Sequence, residues 1–173
     1  LKENNKINLN LSVGASQNLI IASTLCKGMV TLHLCATEPE VKDLVTFLNS
    51  AGANIKWIGK RTLRIIGVKK LNRTSYTVNG DRIELSTWAV LATLTTGKLK
   101  IVGFNNIKLL KTELDLLRKI GASIKYKNNE IIIQGKKKLK NINISTKEYP
   151  GFPTDLACIF GVLLCKANGR STI

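Results

Sequence analysis

The chain has 173 residues, 44% of them hydrophobic, which is enough to bury a core and too many for a disordered segment. No apolar run reaches the roughly 18 residues of a membrane-spanning helix, and residues 1–6 hold no apolar signal core, so a soluble, cytoplasmic protein with no membrane partner is the default expectation. The formal net charge of +16 admits a polyanionic partner, but the Lys and Arg residues are spread along the chain and aromatics are only 5%, so a basic nucleic-acid-binding module is kept only as an alternative.

In chain order, a helix is predicted over 15–27, closed by Gly28, and a strand over 30–36. A second helix carries Val41, Leu44, Val45 and Leu48 at helical spacing and ends at Gly52. Two short strands, 54–57 and 63–66, make a hairpin, and a further strand is expected over 76–78. The pattern then repeats. A helix over 82–96 is closed by Gly97, and a strand follows over 99–102. A second helix carries Leu110, Leu114 and Leu117 and ends at Gly121. A hairpin of 123–126 with 130–133 comes next, then a strand over 141–145.

Gly28 and Gly97, Gly52-Ala53 and Gly121-Ala122, and Ile55-Lys56-Trp57 and Ile124-Lys125-Tyr126 are all 69 residues apart. Gly67 and Leu71 recur after 68, as Gly135 and Leu139. A third copy begins near Gly151, with a helix over 156–167, and its Gly169 stands where Gly28 and Gly97 stand. Helix–strand–helix–strand–strand–strand units with helices on one side of mixed sheets give an α/β class. Lys136-Lys137-Lys138-Lys140 reads as a solvated hairpin.

The four cysteines, Cys26, Cys35, Cys158 and Cys165, form no C-x-x-C pair, and His33 is the one histidine, so no metal site and no cofactor are expected. Cys158 and Cys165, seven apart in an apolar run, read as buried small hydrophobes.

The positions with the most chemistry are the starts of the first helix of each copy. Helix N-termini present free N–H groups and the positive end of the dipole, which suit phosphate and carboxylate. Ser12-Val13-Gly14-Ala15 would let the backbone approach a diphosphate, yet Ser12, Asp81 and Asp155 are equally good helix caps, and spacing alone favours the cap for all three. Glu38-Pro39-Glu40 is either a well-started helix or a pair of carboxylates facing a cleft. Arg82 and Glu84 either pair with each other or line a site. Tyr149-Pro150-Gly151-Phe152-Pro153-Thr154-Asp155 sets a stiff approach into a helix, and a carboxylate held there could take a proton from a hydroxyl.

Ser12-Val13-Gly14-Ala15, Glu38-Pro39-Glu40, Asp81-Arg82-Ile83-Glu84 and the 149–155 segment stand in the order and at the separations of the enolpyruvyl transferase family, and the chain resembles the middle of those members that act on UDP-N-acetylglucosamine. The resemblance implies two domains, each an inside-out α/β barrel of three repeated units, with the active site between them. Residues 1–79 would be the last unit of one barrel, and 80–173 the first unit and part of the next unit of the second. It implies transfer of the enolpyruvyl group of phosphoenolpyruvate to the sugar's 3-hydroxyl, a committed step of peptidoglycan synthesis, with no cofactor and no nucleic-acid partner. Asn10, Leu11, Ser12, Val13 and Gly14 would hold the UDP-sugar, with Asn10 where many members have lysine. Thr154 and Asp155 would meet the sugar, Asp155 as the base. Glu38, Glu40, Arg82 and Glu84 match cleft positions. The reactive cysteine and the cations that hold phosphoenolpyruvate match nothing here, so the remainder of the enzyme would have to supply them. The sister enzyme acting on shikimate 3-phosphate is the alternative within the family.

Overall fold

Strands with one apolar face and helices with one apolar stripe must bury them together, and the chain does this twice. The computed structural model describes residues 5–104 and 106–173. The chain divides into two compact units, Leu1–Val78 and Asn79–Ile173.

In the first unit, β1 (Asn5–Asn8), β2 (Met29–His33), β3 (Asn54–Gly59) and β4 (Thr62–Ile66) form a sheet of order β1-β2-β4-β3. β1 runs parallel to β2, and the other pairs are antiparallel. Helices α1 (Val13–Thr24) and α2 (Pro39–Ser50) cover one face. Val30, Leu32, Leu63 and Ile65 alternate into the core beneath them and are almost fully buried. In the second unit, β5 (Lys98–Val102), β6 (Ser123–Lys127) and β7 (Glu130–Gln134) form an antiparallel sheet of order β5-β7-β6. Helices α3 (Arg82–Leu94) and α4 (Lys111–Ile120) pack on it, joined by α5 (Ala157–Leu164) against α3. Each fully buried aliphatic side chain contributes about 1.5–3 kcal/mol.

The repeat is a repeat of register. Ile65 pairs with Val30 on one side and Ile55 on the other. Ile133 pairs with Leu99 and Ile124 in the same way. The Gly67 N–H donates to Gly28 O at 2.9 Å, and the Gly135 N–H donates to Gly97 O at 3.2 Å. A Cβ on Gly67 would fall 1.6 Å from Cys26 O, and one on Gly135 would fall 2.3 Å from Thr93 O, so only glycine fits where β4 and β7 leave their sheets. The step from 69 to 68 residues lies in the hairpins. Asn128 and Asn129, both left-handed, turn β6 into β7 in two residues. The β3–β4 pairing shifts register between Trp57 and Gly59, where Ile58 is the extra residue of a bulge.

Several expectations need correction. β1 is a strand that was not anticipated, since four residues, Asn-Lys-Ile-Asn, carry too little alternation to read. Residues 76–78 form no strand, and Val78 is 75% exposed. Residues 141–145 make only one isolated parallel bridge, Asn143 with Thr172, beside that of Lys140 with Asn168. That arrangement echoes the parallel β1–α1–β2 step. The helices end earlier than predicted, at Thr24, Leu94 and Leu164, so Gly28, Gly97 and Gly169 sit in the turns to the next strand and not at the caps. In the second of these turns Thr96 takes the left-handed conformation instead of Gly97. Gly52 and Gly121 do close α2 and α4 with left-handed backbone. Lys136, Lys137 and Lys138 are solvated in a bend rather than a hairpin. Cys158 and Cys165 are exposed, not buried, on a side of α5 that also leaves Val162 59% exposed.

Candidate functional site

β1 and β2 run parallel, so their carboxyl ends open at the same end of the first unit, where open α/β sheets place their ligands. From Asn8 the chain passes Leu9, whose N–H donates to His33 O at 2.8 Å, and exposed Asn10, then turns at Leu11 in left-handed conformation, φ 54°. Ser12 caps α1: its Oγ accepts the Ala15 N–H at 3.2 Å. Helix geometry leaves the amides of Val13 and Gly14 without intrahelical acceptors, and a Cβ at Gly14 would meet nothing within 4 Å. This turn contains no carboxylate. Buried Ser16 ties it to the end of β2, donating to Ser12 O at 2.8 Å and accepting the Ala36 N–H at 2.9 Å.

Two residues on, Glu38 occupies the N-cap position of α2, with Pro39 at the first helical position. Its side chain makes no cap bond. Glu38 is 7% exposed and its Oε2 has no hydrogen-bond partner, which is costly unless a ligand or cation satisfies it. Glu40 is exposed in the first turn of α2. Cys35 is buried between these elements. Burial pushes its thiol up to about 11 despite a bond to the Leu63 backbone, so it is an inert core thiol.

In the second unit the equivalent of Ser12 is Asp81. Its carboxylate accepts the Ile83 N–H at 2.7 Å and the Glu84 N–H at 3.2 Å, as expected of a cap. Arg82 pairs with Glu113 at 3.1 Å and not with Glu84; the two are 6% and 2% exposed. The guanidinium also lies 5.8 Å from the centre of the Tyr149 ring. Glu113 lies 31 residues away in α4, and no local sequence pattern links it to Arg82. Glu84 is exposed and accepts from Trp88 Nε1 at 3.4 Å, on the wall of a groove of about 260 Å³ that Asp81, Leu85 and Phe104 also line.

Hydrogen bonds and ring packing hold the 149–155 segment at several points. Tyr149–Pro150 is cis, and Pro150 O accepts from Thr112 Oγ1 at 2.7 Å. Gly151 N–H donates to Glu148 O at 2.7 Å, and Lys147 N–H donates to Phe152 O at 2.9 Å. Phe152 is buried edge-to-face on Phe160, with ring centres 4.8 Å apart. Phe152 and Leu156 anchor the segment and leave Thr154 and Asp155 facing solvent in the 3-10 turn Thr154–Leu156 that starts α5. Pro153, not Asp155, holds the cap position, and it makes no side-chain bond. The cap expected of Asp155 is therefore absent, because the third copy places proline where Ser12 and Asp81 stand. Among the described residues no group of His, Cys, Asp and Glu could hold a metal ion.

The family model for EPSP synthase (3-phosphoshikimate 1-carboxyvinyltransferase) matches residues 4–173. The UDP-N-acetylglucosamine 1-carboxyvinyltransferase of Pelagibacter ubique is 57% identical over 94% of this chain and 39% of its own length. The enzyme of the same name from Orientia tsutsugamushi (strain Ikeda) is 45% identical over the same shares. Among solved structures, the enolpyruvyl transferase NikO from Streptomyces tendae superposes with a TM-score of 0.84 at 25% identity, covering 99% of this chain and 44% of that one. EPSP synthase from Acinetobacter baumannii, at 17% identity, superposes with a TM-score of 0.66 over 98% of this chain and 40% of its own. The chain thus spans about 39% of the length of the curated relatives it matches.

Proposed function

The chain belongs to the EPSP synthase (3-phosphoshikimate 1-carboxyvinyltransferase) family, and on that premise we propose that the full-length protein transfers the enolpyruvyl group of phosphoenolpyruvate to the 3-hydroxyl of UDP-N-acetylglucosamine. The observation that carries this choice of acceptor is the 57% identity, across 94% of the chain, to a relative named for that substrate. The sister reading, with shikimate 3-phosphate as acceptor, has the family's description in its favour but only 17% identity to the solved enzyme of that name. Residues 1–79 are read as the last unit of one barrel domain, and 80–173 as the first unit and part of the next of a second. The committed step of peptidoglycan synthesis and a cytoplasmic site of action follow from the same reading.

In the reaction the sugar oxygen bonds to C2 of phosphoenolpyruvate, the bond from C2 to the phosphate oxygen breaks, and phosphate and the hydroxyl proton leave. This chain's residues supply the acceptor's side of that exchange. The α1 turn offers the Val13 and Gly14 amides and the Ser12 hydroxyl to the diphosphate, with Asn10 and Leu11 shaping the approach and Asn10 contributing no charge. The dipole of α1 adds to the attraction. Asp155 receives the hydroxyl proton, and Thr154 beside it steadies the sugar. Glu38 Oε2, buried without a donor, takes one from the ligand or from a cation of the complete enzyme. Glu40 and Glu84 face solvent near their helix starts. Arg82 acts by position: buried on Glu113 and Tyr149, it fixes the base of the 149–155 segment.

Asp155→Asn in the full-length protein tests the assignment. A positioned base contributes about 10²–10⁴-fold in rate, so turnover falls at least about a hundredfold while the melting temperature stays unchanged, since Asp155 caps nothing. A variant that retains most of its turnover removes Asp155 from the mechanism.

A further inference from the structure

We propose that the solvent face of the β5-β7-β6 sheet docks on a membrane surface rich in acidic phospholipids. This goes beyond the enolpyruvyl reading and does not depend on it. Along the sequence the basic residues look evenly spread, and no membrane partner is expected from them. The fold sorts them. Among the described residues the strands carry seven Lys and Arg and one acidic residue, Glu130; the other acids lie on helices and loops.

On this sheet Leu99, Ile101, Ile124, Ile131 and Ile133 belong to the core side. The opposite side presents Lys98, Lys100, Lys125 and Lys127, all exposed. Its one carboxylate, Glu130, already accepts from Lys100 Nζ at 2.9 Å. Lys100 and Lys125 flank Ile132 on neighbouring strands. The two strands that carry them lie on either side of β7, about 9.5 Å apart, so one anion between them would meet both charges. Lys98, Ser123, Lys125, Ile132 and Gln134 line a recess of about 150 Å³. Two basic residues, a serine and a glutamine around one recess are the residue types that suit a lipid phosphate.

The first unit repeats the feature independently. Lys6, Arg64 and Lys56 stand in one row across its sheet, on either side of Thr31, and its strands contain no acid. The occupant is a lipid surface and not a nucleic acid for three reasons. The face is a three-stranded sheet that presents no helix to a groove. It has no aromatic ring for bases to stack on. It does carry aliphatic side chains, Val102 at 63% exposure and half-buried Ile132, which suit an interface with lipid.

The test is co-sedimentation of the full-length protein with vesicles of phosphatidylcholine, alone or mixed with phosphatidylglycerol. Binding is expected only to the mixed vesicles and should fade as salt screens the charges. Each Lys→Gln change should lower the partition coefficient about fivefold, and Lys98, Lys100, Lys125 and Lys127→Gln together by more than about a hundredfold. The matching Lys→Arg variant should bind as the parent does, and both should keep the parent's circular dichroism. Equal binding to both vesicle types, salt-insensitive binding, an unchanged Lys→Gln variant, or tighter binding to duplex DNA than to the mixed vesicles would each overturn the proposal. If the Lys→Gln variant unfolds, the lipid and salt dependence of the unmodified protein decides.

Discussion

Each unit builds its own core on the same register, and the two differ at the starts of their first helices. Val30, Ile55 and Ile65 meet in one as Leu99, Ile124 and Ile133 meet in the other. At the helix starts the correspondence is positional but not chemical. Val13 and Leu44, partly buried against the first core, stand where Arg82 and Glu113 form a buried ion pair. Neutral Ser12 stands where Asp81 stands, and Cys35 where Phe104 stands. The apolar register makes the unit, and the helix entries are then free to take up different chemistry. An α1 turn without a carboxylate can receive an anion, whereas Asp81 and Glu84 already occupy the positive end of α3.

The largest effect that would sharpen this comparison is at the ion pair. Glu113→Ala or Arg82→Ala breaks a buried ion pair and should cost about 3–5 kcal/mol. Hydrogen exchange in the full-length protein should show α3 and α4 losing protection while α1 and α2 keep theirs. Arg82→Val with Glu113→Leu installs the first unit's own pair and should recover most of that loss, since apolar replacement of both partners is often neutral. A double variant as unstable as either single one would mean the two positions are not equivalent.

A smaller effect belongs to the first unit alone. The Cys35 thiol is raised from 9.0 to about 11. Its burial as a neutral group therefore contributes stability that is complete below pH 9 and is lost as pH rises through 11, on the order of 2 kcal/mol. Protection of β2 and β4 should fall over that window and that of β5 and β7 should not, and Cys35→Ala should remove the difference. Persistence of the fall in the Ala variant would assign it to other groups.

The smallest effect separates capping from ligand binding. Ser12→Ala should cost about 1 kcal/mol, and Ser12→Asp should not, because both Ser and Asp cap well. If the α1 turn holds the diphosphate, Ser12→Asp should still raise the KM for the UDP-sugar, while Asp81→Ser leaves it unchanged. Equal KM values across these variants would place the diphosphate elsewhere.

How much of this was legible depended on the range of each signal. The hairpins, α2, α4 and the 69-residue period rest on local alternation and helical spacing, and they appear where expected. The Ser12 and Asp81 caps are local too. The Arg82–Glu113 pair joins residues 31 positions apart with no periodic mark. Residues 76–78 and 141–145 have strand-like composition, but a strand also needs a partner along its length, which composition does not report. Asp155 misled because Ser and Asp caps in two copies suggested a third, and proline had taken the seat. The exposure of Cys158 and Cys165 depends on what covers α5, which no pattern within α5 encodes.

The one-residue difference between the β3–β4 and β6–β7 hairpins shows where this fold tolerates indels. Ile58 is accommodated by a bulge, half exposed, with Trp57 still opposite Leu63 as Tyr126 is opposite Ile131. A length change that elsewhere would flip a strand's buried face is absorbed at the tip without reaching the core. The tip at Asn128-Asn129 is thus a natural insertion point for an epitope or a fluorophore-bearing loop, whereas the other tip is held by Arg61 O, which accepts the Cys35 N–H at 2.9 Å. By the same logic, the junctions at Gly67 and Gly135, where a single methyl group collides with backbone, are where an insertion would break the repeat.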